Sequence, residues 1–182
     1  MKALRGVPLL TLLALTSCGI PATGVVEAGG PASGTLPMTQ VYFVENGALV
    51  ATPRTTTRPG DPEAALRLLM AGPLAGEGRV DGLSTEVPGV PTAMALAPAT
   101  DEPGNADPPS PDAPTVTVKG DAMTVRLPPG MDGLSDTGVG QIVCTAAAAY
   151  RLTRPSDATV TAEVTDGGGR RVTASDEGCP ER

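Results

Sequence analysis

The chain has 182 residues, with 13 Lys+Arg against 20 Asp+Glu, a formal net charge of −7, no histidine and 2% aromatic residues. Without His there is no Ser-His-Asp triad, no Cys-His pair and no imidazole-ligated metal. An acidic chain poor in aromatics also lacks the basic surface and stacking platforms of nucleic-acid binders.

Lys2 and Arg5 form a short basic region. Gly6 to Leu15 (GVPLLTLLAL) is apolar but shorter than the about 20 residues that a bilayer span takes. This is signal-peptide anatomy over residues 1–17. Leu15-Thr16-Ser17-Cys18 then resembles the lipobox of bacterial lipoproteins: an aliphatic residue, two small residues, and the cysteine. The resemblance implies a diacylglyceryl group on the Cys18 thiol and cleavage just before it. Ordinary secretion with Cys18 free is the alternative. At least two acyl chains at the new N-terminus give stable anchoring, where one gives only marginal binding. Losing Lys2 and Arg5 leaves the mature chain more acidic still. Anionic membranes repel such a body, so the lipid does the holding. The expected location is extracytoplasmic, on the outer face of the cell membrane.

Residues 18–38 hold Cys18 and a Gly/Pro/Ala/Ser-rich stretch read as a flexible tether, with an end-to-end distance of about 25 Å. Order is expected from Val41. VYFVENGALVAT pairs two β-prone segments across Asn46-Gly47, the strongest short hairpin signal. TPRTTTRPG follows as a loop with two arginines. Asp61-Pro62-Glu63 opens a helix: Asp61 caps free N–H groups, Pro62 suits the first turn, and Glu63 favours the positive end. Ala65, Leu66, Leu69 and Met70 form its apolar stripe, and Gly72-Pro73 ends it. A short strand is expected around 92–97. Residues 98–114 hold acids and prolines and almost nothing apolar, and are read as a disordered insertion. Thr115 to Leu127 predicts a second hairpin turning at Gly120-Asp121. Ser135 or Asp136 caps a second helix with Val139, Ile142, Val143, Ala146, Ala147 and Tyr150 on one stripe. Val160–Thr165 and Arg171–Ala174 predict a closing hairpin. The fold class is α+β: one small domain over 39–179, with β-hairpins packed against two helices.

The order of motifs resembles the GerMN (sporulation and spore germination) domain of actinobacterial-type lipoproteins. The residues that carry it are Val41-Tyr42-Phe43-Val44 with Leu49-Val50 and Arg54, the helix DPEAALRLLMAGP, and GLSTEVP (82–88). VTVKGDAMTVRLP, Gly140-Gln141-Ile142-Val143 with Thr145, and VTAEVTDGG (160–168) complete the series. The chain departs from the family at the 98–114 insertion and at the alanines 146–149. The resemblance implies an interaction module of envelope assemblies, without catalytic residues.

Cys144 and Cys179 remain once Cys18 is set aside. Two leftover cysteines in one secreted domain most simply pair. A buried Cys144 thiol with Cys179 free, or pairing between molecules, are the alternatives. Arg54 and Arg58 are candidates for contact with a partner's carboxylates or an anion, against the plainer reading of a solvated loop. Asp101, Glu102, Asp107 and Asp112 match no calcium loop. Gly167-Gly168-Gly169 reads as a turn, since no helix follows it to make a phosphate cradle. The expectation is therefore no enzyme, no cofactor beyond the lipid on Cys18, no nucleic acid, a membrane contact through that lipid, and an envelope protein as partner. A lipoprotein that captures a cell-wall fragment or peptide is the alternative.

Overall fold

The computed structural model describes residues 37–74, 82–88 and 112–180. The signal segment, Cys18, the tether up to residue 36, the strand expected at 92–97 and residues 98–111 of the insertion lie outside the described residues.

The β-prone run around Asn46-Gly47 forms the expected hairpin, β1 (Met38–Glu45) and β2 (Ala48–Thr55). Asn46 and Gly47 both have positive φ, 53° and 78°, as a type I′ turn requires. The hairpin is longer than expected at both ends. Met38 opposes Thr55, and the Thr56 N–H donates to the Pro37 carbonyl. Met38 therefore opens the first strand and does not close the tether. Arg54 lies in β2 and not in a loop.

Pro53 does not break β2, for a geometric reason. Alternate residues of β1 turn their backbone groups away from β2: the Tyr42 and Val44 N–H groups bond elsewhere. Gln40 shares that orientation, and its partner across the hairpin is Pro53. The missing N–H of Pro53 thus falls on the outer edge, where no ladder bond is lost.

The helix α1 (Pro62–Met70) starts as its sequence predicts. Asp61 Oδ1 accepts from the Glu63 and Ala64 N–H groups at 2.9 and 3.3 Å, and Pro62 occupies the first turn. Gly72, at φ 80°, takes the left-handed conformation that closes it. Ala65, Leu66, Leu69 and Met70 are all buried. Glu63 has a second role: its Oε1 accepts the Val116 N–H at 2.9 Å and ties α1 to the next strand.

β3 (Thr115–Lys119) and β4 (Ala122–Arg126) form the second hairpin, with Gly120 at φ 59° in its turn. Residues 112–114, read from the sequence as part of the disordered insertion, are placed before β3, and Pro114 is buried. The helix α2 (Asp136–Thr153) follows, capped by Ser135, whose hydroxyl accepts the Gly138 N–H. β5 (Thr161–Thr165) and β6 (Arg171–Ser175) close the domain, with a single 3-10 turn at Asp176–Gly178.

The strands make two sheets: the β1–β2 hairpin, and a four-stranded sheet of order β3-β4-β5-β6. The sequence predicts hairpins alone. The structure adds a parallel pairing of β4 with β5, with α2 as the crossover between them. Strand alternation places two apolar rows on one face of this sheet. Val116–Val125–Val164–Val172 is one row, and Val118–Met123–Ala162–Ala174 is the other. They pack into one core with Phe43, Leu66, Leu69 and Ile142. Each such fully buried side chain contributes about 1.5–3 kcal/mol.

α2 is the central element, packed against both α1 and β1. Its expected stripe is buried, and so are Gln141, Cys144, Thr145 and Ala149 beside it. Small residues make this close approach possible. A Cβ on Gly138 would lie 3.1 Å from the Glu86 carbonyl oxygen, and the alanines 146, 147 and 149 continue the smooth surface.

Candidate functional site

Three features draw together the residues singled out in the sequence. The first is a polar clasp in the core. β1 is buried, so the backbone groups on its side away from β2 need partners there. The Val44 N–H and C=O exchange bonds with Ser84, at 2.8 and 2.9 Å. At Tyr42 no strand takes over. The Tyr42 N–H donates instead to Thr145 Oγ1 at 3.0 Å, and its carbonyl accepts from Gln141 Nε2 at 2.9 Å. Gln141 Oε1 in turn accepts the Glu86 N–H at 2.8 Å. Both side chains have no exposed surface. Gln141 and Thr145 lie four residues apart, hence on the same helix face. The helix thus supplies through two side chains what a neighbouring strand supplies through its backbone. GLSTEVP, Gln141 with Thr145, and the Tyr42 strand are parts of this one network. Their role in the fold is to lock it. The signal for it was two polar residues at i, i+4 in an otherwise apolar helix.

The second feature is the corner where Cys144 and Cys179 meet. Cys144 is 3% exposed on α2, and Cys179 follows the 3-10 turn. Their sulfurs lie at bonding distance, with Cα atoms 5.5 Å apart and a sequence separation of 35. The same tail is held twice more. The Tyr42 hydroxyl donates to the Pro180 carbonyl at 3.3 Å, and the Arg151 guanidinium meets Asp176 Oδ2 at 2.6 Å. Asp176 Oδ1 also accepts the Val160 N–H at 2.9 Å. Arg151 further donates to the carbonyls of Ser156 and Ala158, so one guanidinium fastens the loop after α2 to the tail. An open cleft of about 430 Å³ lies here, floored by Cys144, Ala147, Ala148 and Cys179 and rimmed by Asp157 and Glu177. Neither Arg151 nor Asp176 was singled out in the sequence, where they stand as ordinary surface charges.

The third feature is the pair Arg54 and Arg58, which the structure separates. Arg54 is 8% exposed, with its guanidinium 5.0 Å from the Phe43 ring centroid. It is built into the hairpin and does not present a surface contact. Arg58 is exposed and sits 3.5 Å from Asp61, the cap of α1. Such an exposed pair holds its partner weakly, so Arg58 alone of the two remains open to a second protein.

The glycine run at 167–169 is a turn, as expected, and a packed one. A Cβ on Gly167 would lie 2.5 Å from the Pro128 carbonyl oxygen. The buried Asp166 holds the turn by accepting the Arg170 and Gly133 N–H groups. Among the described residues no group of three or more His, Cys, Asp or Glu is placed to hold a metal ion, and no helix is long and apolar enough to cross a membrane. Comparison with protein families, curated proteins and solved structures finds no match to this chain.

Proposed function

We propose that the chain is an extracytoplasmic lipoprotein, held to the membrane by acyl chains on Cys18, whose GerMN-like domain serves as an accessory or adaptor in an envelope protein complex. The observation that carries this reading is how the cysteines divide. Cys18 stands in a lipobox-like run, and the remaining two, Cys144 and Cys179, come to bonding distance across 35 residues. A structural disulfide belongs to a compartment that lets it persist, and in this reading the pair is oxidised. An interaction role is supported by what the residues do. Those that carry the family resemblance close a hydrogen-bond network in the core, and Arg58 stays at the surface.

The test is metabolic labelling with an alkyne-palmitate, followed by membrane fractionation and crosslinking in situ. The expected result is a labelled, membrane-bound wild type and an unlabelled, soluble Cys18→Ala variant. A wild type that is unlabelled and soluble overturns the anchor. A labelled protein that crosslinks to no protein partner overturns the adaptor role. The open cleft beside the cysteine pair favours a second reading, capture of a cell-wall fragment or peptide. Muropeptides that shift the resonances of Ala147 and Ala148 decide for it.

A further inference from the structure

No described element covers the side of the four-stranded sheet opposite the core, and its chemistry differs from that of the chain as a whole. Strand alternation turns Lys119, Arg126, Arg171 and Glu163 outward there, among hydroxyl residues such as Thr117 and Thr173. No large apolar side chain shares the face. Three cations against one carboxylate make it basic in a chain of net charge −7. Two of the three cations lie at one end, which Asp112, three residues before Thr115, also borders. Asp121 lies in the turn next to Lys119, whereas Arg126 and Arg171 share a cross-strand row with Thr165 between them. Two strand intervals set them about 10 Å apart. Arg171 approaches Glu163 only at 4.0 Å, with the Arg171 side chain largely exposed and that of Glu163 half-buried, so the pair leaves the guanidinium available.

We infer that this face lies against the anionic leaflet to which the chain is tethered, and so sets the orientation of the domain on the membrane. The inference rests on the lipid anchor proposed above. The size of the face supports it. Four strands of five residues cover roughly 320 Å² in projection, well below the about 800 Å² per partner of a stable protein interface. A membrane needs no such area, because the anchor already confines the domain beside it. The lack of apolar side chains fits headgroup contact without insertion. Net repulsion of the acidic body and local attraction of this face act together: the rest of the surface is pushed outward while the Arg126–Arg171 end turns in.

The mature chain, coupled through Cys18 to a maleimide lipid in nanodiscs, provides the test. One disc is phosphatidylcholine, and the other has equal parts phosphatidylcholine and phosphatidylglycerol, each with a gadolinium-chelate lipid. Methyl-labelled threonines report proximity to the bilayer. Relaxation at Thr117 and Thr173 relative to Thr52 on β2 should rise in the anionic disc by at least about five-fold, the weight of one cation near an anionic leaflet. The double variant Arg126→Gln/Arg171→Gln should lose the rise. Arg67→Gln, the same kind of charge loss on the exposed side of α1, should keep it. Equal relaxation in both discs overturns the inference, as does an Arg67→Gln effect as large as that of the sheet variant. Because the attachment is chemical, this outcome is independent of acylation in cells, which the palmitate label reads separately.

Discussion

Gln141 is the most exacting place to test the account of the core. Gln141→Leu keeps the volume and adds apolar surface, so on burial alone it should be neutral or stabilising. The clasp says otherwise. The substitution removes the donor to the Tyr42 carbonyl and the acceptor for the Glu86 N–H. The Tyr42 peptide is buried, and water cannot replace the lost partner there, whereas Glu86 is exposed and recovers a water. One stranded carbonyl costs about 1–3 kcal/mol, and the lost bonds about 1 kcal/mol more. The expected destabilisation is therefore about 2–4 kcal/mol, a large share of a typical total of about 5–15 kcal/mol. Urea unfolding followed by circular dichroism reads it as a lower midpoint at unchanged slope. Thr145→Val strands the N–H of the same residue, Tyr42. The double variant should then cost less than the sum of the singles, because both loosen β1 at the same residue. A Gln141→Leu protein within about 0.5 kcal/mol of wild type, the range of ordinary surface substitutions, refutes the clasp.

Reducing the protein, or replacing Cys144 and Cys179 with Ala, should lower stability by about 4 kcal/mol for the 35-residue separation in the chain-entropy model; urea curves with and without dithiothreitol check this, and coincident curves refute it. Gly167→Ala should destabilise by about 1–3 kcal/mol, since its Cβ meets backbone at Pro128 that cannot swing aside. Gly168→Ala, where the nearest atom is a side-chain oxygen at 3.4 Å, should cost much less, and equal midpoints for the two refute the packing argument. Asp61→Ala should cost about 1 kcal/mol through the lost N-cap, read as a lower melting temperature.

Elements with a local cause were legible in the sequence. Asn46-Gly47 demands φ > 0 at both positions and fixes the first hairpin whatever surrounds it. Asp61-Pro62 and Gly72 bracket α1 by capping chemistry alone. What depended on distant residues was not legible. Pro53 looks like a strand breaker until the register places it on the free edge. Nothing local in Met123–Val125 or Ala162–Val164 announces that β4 and β5 run parallel, because the pairing exists only once α2 has crossed over. A period-3.6 reading of α2 found its apolar stripe and passed over Gln141 and Thr145, whose partners lie on β1 and in the 82–88 segment. Cys144 and Cys179 were read as a pair from compartment and count, and the geometry brings them together. Arg54 was placed in a loop beside Arg58, and burial against Phe43 separated them.

The clasp on β1 also bears on how the chain reaches its folded state. The Tyr42 N–H and carbonyl find their partners 103 and 99 residues further on, so one edge of the first hairpin stays open until α2 arrives. Contacts of such sequence separation form slowly, after the local turns are made. A chain that emerges N-terminus first can therefore turn its first hairpin early but cannot complete the packing of its opening strand. The domain closes only once Gln141 and Thr145 have followed.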